Sequence, residues 1–374
     1  MVGYESGKLV LPQGSPYVLC PNYTSPELAN VKTAHILGRD GKPAPLRPLS
    51  IDETVANRYH YNNPSNPDPL RTLVVTMKKG SKTSSFGTSS RINHDSSTYY
   101  GSRLYSELPT NNGGETLPDH DFPAEFENKI ILGSSEAMQE IPDNSLHLMV
   151  TSPPYNVTKE YDQDLSLREY LQLLGNVFSE TYRVLVNGGR ACVNVANIGR
   201  RPYLPLSDYI SQIMIEIGFQ MRGEIVWNKG AGAGVSMAWG SWRSASNPVL
   251  RDVHEYIMIF SKGSFLRKKP ADKEDTISKE QFMEWTKSVW TMNPESAKKV
   301  GHPAPFPIEL PYRLIQLYTF KGDLILDPFM GSGTTAIAAL KAGRKYVGYE
   351  IDLEYVKLAE ERIAPYRLQS SSGI

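Results

Sequence analysis

Asp323-Leu324-Ile325-Leu326-Asp327-Pro328-Phe329-Met330-Gly331-Ser332-Gly333-Thr334-Thr335 decides the fold of this 374-residue chain. Its apolar start predicts a strand over 323–326. The residues after Gly333 predict a helix over 334–342, which Gly343 closes. A further strand, 345–349, ends at an acid, Glu350. Strand, glycine loop, helix and an acid-tipped second strand make one half of a nucleotide-binding unit. The glycines let backbone amides approach a ligand, and the helix amino terminus carries partial positive charge. Glu350 stands 23 positions after Asp327, a spacing suited to gripping both hydroxyls of a ribose. The loop has neither the dinucleotide G-x-G-x-x-G spacing nor the lysine of a phosphate-binding P-loop. A ligand with a ribose and no phosphates fits best, and S-adenosyl-L-methionine is such a cofactor.

Outward from this unit the alternation continues. A helix over 308–318 precedes it, and Asp352 caps a last helix over 353–363. Upstream, 129–132 reads as a strand closed by Gly133-Ser134-Ser135, with a short helix starting at Ser135, and 146–150 as a buried strand. Leu167, Leu171, Leu174, Phe178 and Leu185 recur at helical spacing over 165–186, and Gly188-Gly189 ends that helix. Strand 190–196, helix 206–217 with Gly218 at its end, and strands 221–227 and 254–260 follow. Residues 263–300 form a charged insert with one helix, 278–289, read as solvated surface. The expectation is a Rossmann-like α/β domain over 126–366, with a mixed, mostly parallel, seven-stranded sheet. Residues 1–125 form a separate extension, and 367–374 a flexible tail.

A second stretch carries the chemistry: Thr151-Ser152-Pro153-Pro154-Tyr155, at the carboxyl end of the strand over 146–150. Two prolines fix φ and remove two donors, and Ser152, preceding a proline, is pushed towards an extended conformation. The result is a rigid loop presenting a small hydroxyl, two freed carbonyls and an aromatic face. Such a loop can stack on a planar ring while its polar atoms accept hydrogen bonds from an exocyclic amine. Standing alone, it would read better as a proline-rich turn with a packed tyrosine, and the motifs downstream reverse that reading.

Forty basic and forty acidic residues cancel, so a nucleic-acid surface would have to be a local basic patch. Cys20 and Cys192 show no metal-ligand spacing and fit a reducing interior. No signal pattern or membrane-length apolar run is present, so a cytoplasmic protein is expected. The glycine-rich loop over 229–251 carries Lys229, Trp239, Trp242, Arg243 and Arg251, and loops of this length in compact domains commonly serve function. In the extension, a strand over 70–77 leads into Lys78, Lys79, Lys82, Arg91, Tyr99 and Tyr100. These read either as a surface arm or as contacts to phosphates and bases.

Together, TSPPY, DPFMGSGTT and YVGYEID resemble the amino-group DNA methyltransferases. The order, catalytic loop first and cofactor loop last, is similar to their circularly permuted β group. IVWNKG, SASNPVLRDVHEYIMIFSKG and HPAPFPIELPYRLIQLYTF support the likeness, which covers roughly 126–366. The resemblance implies transfer of a methyl group from S-adenosyl-L-methionine to an exocyclic amine of a base flipped from double-stranded DNA. No metal is needed. Ser152, Pro153, Pro154 and Tyr155 are the implied catalytic residues, with Ser152 Oγ and the Pro153 carbonyl accepting from the amine and Tyr155 stacking on the base. Asp327, Phe329, Gly331, Ser332, Gly333, Thr334, Glu350, Ser134 and Phe306 would hold the cofactor. Lys229, Trp242, Arg243 and Arg251 would contact DNA.

Serine before Pro-Pro goes with cytosine N4 in this family, and aspartate or asparagine with adenine N6. Cytosine N4 is therefore the expected target, adenine N6 the alternative, and a non-catalytic regulator the distant one. Carbon-5 chemistry needs a Pro-Cys nucleophile, which neither cysteine provides. One departure stands out. The strand before the catalytic loop commonly ends Gly-Asp, whereas this chain has Gly133-Ser134, leaving Ser134, Ser135 or Asp143 to meet the cofactor adenine. The family also implies a monomer or dimer, of prokaryotic or phage origin, and a restriction endonuclease acting separately.

Overall fold

The computed structural model describes residues 3–5, 8–10, 56–61, 71–76, 100–106, 118–155, 165–230, 240–296, 300–301 and 305–371. The chain divides into two compact units, Met1–Leu108 and Pro109–Ile374. In the first, Gly3–Glu5 pairs with Lys8–Val10, and Ala56–Tyr61 with Arg71–Thr76, both antiparallel. The second pair contains the strand read over 70–77. Lys78, Lys79, Lys82, Arg91 and Tyr99 lie outside the described residues.

The second unit is built on one sheet. Its strands are β1 (Lys129–Leu132), β2 (Leu146–Thr151), β3 (Leu185–Val195), β4 (Gln220–Asn228), β5 (His254–Ser261), β6 (Val289–Thr291), β7 (Leu324–Asp327) and β8 (Lys345–Glu350). Their order is β6-β4-β5-β3-β2-β7-β8-β1, and only β5 runs against the rest. The α/β fold and mostly parallel sheet are as the sequence predicts, but among the described residues this sheet has eight strands instead of seven. The additional one, β6, lies in the insert read as helix 278–289. That helix is only Lys279–Trp285 (α3), begun by a Ser278–Gln281 capping box. Val289, Trp290 and Thr291 then pair with Val226, Trp227 and Asn228, so strand pairing overrides the helical pattern.

Helices cover both faces. On one, α1 (Leu167–Val184) and α2 (Leu206–Ile217) pack Leu174, Phe178, Ile210 and Met214 against Met149, Val193 and Leu326. On the other, α4 (Glu309–Tyr318), α5 (Thr334–Lys341) and α6 (Leu353–Ser371) pack Leu310, Leu314, Ile337 and Ile363 against Leu148, Cys192 and Ile325. Alternate residues of β2, β3 and β7 thus serve opposite cores, as the period of a strand requires.

Three local expectations change. Gly188-Gly189 do not follow a helix end directly but lie inside β3, where Gly188 N–H donates to Lys262 O and Lys262 N–H to Gly189 O. No helix starts at Ser135, because its hydroxyl bonds Pro328 O and Met138 N–H bonds Glu180 Oε2. α6 runs past 363 through Pro365, since Arg367 in its last turns bonds Asn128 O and Tyr346 Oη. Among the described residues no helix is long and apolar enough to cross a membrane, and no cluster of metal-ligating side chains occurs.

Candidate active site

All the strand ends that matter lie along one edge of the sheet: the carboxyl ends of β1, β2, β3, β4, β7 and β8, and the amino end of β5. β2 and β7 are neighbours at the point where the strand order reverses, where open α/β sheets bind their ligands. One hydrogen bond closes this point. Thr151 Oγ, the last residue of β2, donates to Asp327 Oδ1, the last of β7, at 2.7 Å. The TSPPY stretch and the glycine loop are thereby tied side by side.

Asp327 is 2% exposed and also accepts from Phe329 N–H at 3.1 Å. Burial pushes its carboxyl up to about 7, against the opposing pull of these donors. Between the ordinary carboxyl value of 3.8 and this raised one, the folded protein holds a proton that the unfolded chain has lost. The group's contribution to stability is therefore fully present below the lower value and lost as pH rises through the upper. Asp327→Asn, which does not titrate, should gain in melting temperature relative to the natural protein between about pH 5 and pH 7, and stay level above that. Melting curves across this range check it; a difference independent of pH would refute a raised Asp327.

The glycine loop is held from several sides. Gly331 N–H donates to Glu350 Oε2 at 2.8 Å and Asp352 N–H to Glu350 Oε1 at 3.0 Å. Met330 N–H donates to Tyr349 O, and Arg362 of α6 donates to Ser332 O. Gly333, at φ +78°, starts α5, and a Cβ there would meet Ile363 Cδ1 at 2.9 Å. Thr334 and Ser332 are buried beside it, and Phe329 packs partly against the α1 side. Backbone N–H groups of Gly331, Asp352 and Ile351 orient the Glu350 carboxylate, whose remaining acceptor capacity suits a ribose hydroxyl. The residues present therefore fit a ribose-bearing ligand. Ser134 is exposed at the carboxyl end of β1, where Gly133 N–H donates to Glu350 O, and its hydroxyl bonds Glu136. Phe306 packs against the α4 side. Asp143 is removed from the adenine role, because it precedes β2 at the opposite edge of the sheet and pairs with Arg183 at 2.6 Å.

The TSPPY loop leaves β2 at the same edge. Tyr155 Oη accepts from Ala196 N–H at 3.1 Å and hydrogen-bonds the Ser152 side chain. Burial foremost, with Glu255 nearby, raises the phenol well above its ordinary range and keeps it neutral. Of the two carbonyls expected to be free, Pro154 O is taken by Tyr170 Oη at 2.7 Å. Tyr170, Ala196 and Thr151 are supports the sequence reading did not single out. Only the 3.6-residue spacing that puts Tyr170 on the buried side of α1 could have pointed to one of them.

At the ends of β3, β4 and β5 a second cluster forms. Glu255, 9% exposed, accepts from Asn194 Nδ2 at 2.6 Å and pairs with Lys229 Nζ at 2.5 Å, while Lys229 also lies over the Trp227 ring. Lys229, read as a DNA contact, thus has an internal partner. Trp242 and Arg243 sit on a self-bonded turn over 240–248, in which Ser241 N–H bonds Asn247 O and Asn247 N–H bonds Ser241 Oγ, and Arg251 follows it. Trp242 is 66% exposed on this turn, and Arg243 and Arg251 are exposed. Trp239 lies outside the described residues.

Comparison with known proteins gives three results. Residues 146–361 match the N6/N4 methyltransferase family model, described as DNA methylase. The Type II methyltransferase M.MjaI of Methanocaldococcus jannaschii is 33% identical over 279 residues, 63% of this chain and 91% of its own length. M.BglII of Bacillus subtilis is 30% identical over 263 residues, 66% of this chain and 72% of its own. Among solved structures, TTHA0409 of Thermus thermophilus complexed with S-adenosyl-L-methionine is 30% identical, with a TM-score of 0.52 over 63% of this chain and 92% of that one. The cytosine-N4-specific PvuII DNA methyltransferase has a TM-score of 0.51 over 66% of this chain and 94% of its own. At 21% identity that likeness shows the fold alone.

Proposed function

The chain belongs to the N6/N4 family of DNA methylases, matched over residues 146–361, and from that premise we propose that it methylates the N4 amine of cytosine in double-stranded DNA. The family-level activity is that of a DNA methyltransferase, and its cofactor is S-adenosyl-L-methionine. The cofactor, when bound, supplies an electrophilic methyl group on sulfur. The chain's own residues supply position and polarity.

The observation that supports the reading is the Thr151–Asp327 bond, which ties the end of the strand leading into Ser152 to the end of the strand leading into the glycine loop. An exocyclic amine is a poor nucleophile because its lone pair is delocalised into the ring. Hydrogen bonds accepted from its N–H groups favour the geometry in which that lone pair becomes available. Ser152 is suited to this: donating its proton to Tyr155 Oη leaves both Oγ lone pairs for an incoming amine. Aligning amine, methyl and sulfur in line would account for much of the remaining acceleration. Tyr155, neutral and clamped by Ala196 N–H, presents its ring to a flipped base. Glu350 would hold the ribose hydroxyls, and Ser134 and Phe306 would flank the adenosyl and methionine parts. Serine in front of Pro-Pro is the support for cytosine over adenine. Trp242 and Arg243 on the exposed turn, with Arg251 just after it, would read or grip the duplex, and a restriction endonuclease acting separately would share the recognition sequence.

Genomic DNA from a host expressing the protein, digested to nucleosides and analysed by mass spectrometry, tests this. N4-methylcytosine above the empty-vector background is expected. N6-methyladenine in its place would overturn the base assignment and keep the family. Neither product, with cofactor binding intact, would overturn the activity.

A further inference from the structure

Between β3 and α2 the chain makes a small hairpin, Ile198–Gly199 paired with Tyr203–Leu204. It begins two residues after Ala196, whose N–H holds Tyr155, so it stands directly beside the catalytic loop. Its construction separates two kinds of residue. Ile198 and Leu204 turn inward and pack on the α1–α2 core, while Arg200, Arg201 and Tyr203 turn outward, Tyr203 with 45% exposure. The turn is tight. Gly199 sits at φ +75°, and a Cβ there would stand 2.7 Å from Pro202 O, which only glycine tolerates.

The two arginines differ in what they touch. Arg200 Nη1 pairs with Asp252 Oδ2 at 2.7 Å, which pins the hairpin to the segment that carries Arg251 and follows the Trp242 turn. Arg201 is exposed and makes no hydrogen bond or ion pair with a described residue. A cation held on a rigid tip, next to an aromatic with a hydroxyl, is matched to a sugar-phosphate backbone, which presents regularly spaced anions and no sequence information.

We propose that this hairpin grips the DNA backbone beside the target nucleotide, with Arg201 on a phosphate and Tyr203 against the neighbouring sugar-phosphate. The Arg200–Asp252 pair then sets the distance between this sequence-independent grip and the exposed turn carrying Trp242. The inference rests on the reading of the chain as a DNA methyltransferase, and it adds a surface the motifs do not contain.

The test is the binding of the full-length protein, with S-adenosyl-L-homocysteine present, to two duplexes of unrelated sequence over a range of salt concentrations. For Arg201→Ala the slope of log affinity against log salt should fall by about 0.9, the share of one phosphate contact. Affinity should fall several-fold on both duplexes alike, cofactor affinity should stay unchanged, and Arg201→Glu should lose more. Equal affinity and slope for Arg201→Ala and the natural protein would overturn the grip alone. A loss confined to one duplex with an unchanged slope would overturn the backbone assignment by making Arg201 a base reader. A natural protein that binds neither duplex would overturn both this inference and the reading beneath it.

Discussion

Ser152→Ala is expected to lower turnover by about two orders of magnitude, the usual effect of deleting one positioned hydrogen-bonding group at a reacting centre. Cofactor affinity should hardly change. The split follows from geometry. Ser152 stands on the β2 side of the Thr151–Asp327 bond, whereas Gly331, Gly333 and Glu350 stand on the β7–β8 side. Truncating Ser152 leaves the backbone of that second group untouched. What disappears is the Oγ acceptor, together with the bond that orients it on Tyr155.

Tyr155→Phe offers a graded companion. The ring remains for stacking, but Ala196 N–H loses its acceptor and Ser152 loses the oxygen that aims it. A loss of about tenfold, smaller than for Ser152→Ala, is expected if aiming is the smaller part of the effect. Single-turnover rates and cofactor titrations on both variants decide the matter. Unchanged single-turnover rates in Ser152→Ala would refute the serine's role, and a cofactor affinity that fell in step with rate would mean the loop had moved as a whole.

How much of this was written in the sequence depends on the range of the interaction involved. Strand β7, the loop after it and the acid ending β8 were legible because their signals are local: an apolar run, glycines at fixed offsets and an acid at a fixed distance. The α2 helix, Leu206–Ile217, was read to the residue because its apolar spacing and terminal Gly218 agree. What escaped is set by partners remote in sequence. Ser135 is kept out of a helix by Pro328 O, a partner 193 positions away. Val289 becomes a strand through Val226. Lys229 looked like a free cation because nothing local reveals that the register of β4 and β5 seats Glu255 beside it. The Thr151–Asp327 bond escaped for the same reason. Both residues were in view, but only the strand order β2-β7 brings them together.

Gly348→Ala is the other change expected to act strongly, and it acts from a position in the YVGYEID stretch to which no ligand contact is assigned. Gly348 is the fourth residue of β8, paired with Asp327 of β7, and an added Cβ would fall 2.0 Å from Met330 Cε. It would also stand 3.2 Å from Asp327 O and Met330 Cβ. A methyl end can swing away in open space, but Met330 is 3% exposed and sits in the core beneath the glycine loop. The loop must therefore move with it. Overpacking of this kind costs about 1–3 kcal/mol of stability, and displacement of Gly331 N–H from Glu350 should weaken cofactor binding by about tenfold, near 1.4 kcal/mol. Met330→Ala alone should also destabilise, by about 2–4 kcal/mol, through the cavity it opens. The double variant separates clash from generic damage. With Met330 shortened, the added methyl fills part of the cavity, and the double change should cost less than the two single costs together by about 1–2 kcal/mol. Recovery should be partial, because the Asp327 O contact at 3.2 Å persists. Urea denaturation of the four proteins measures the coupling, and cofactor titration shows whether affinity returns with it. Strict additivity would remove Met330 as the intermediary between this glycine and the glycine loop after β7.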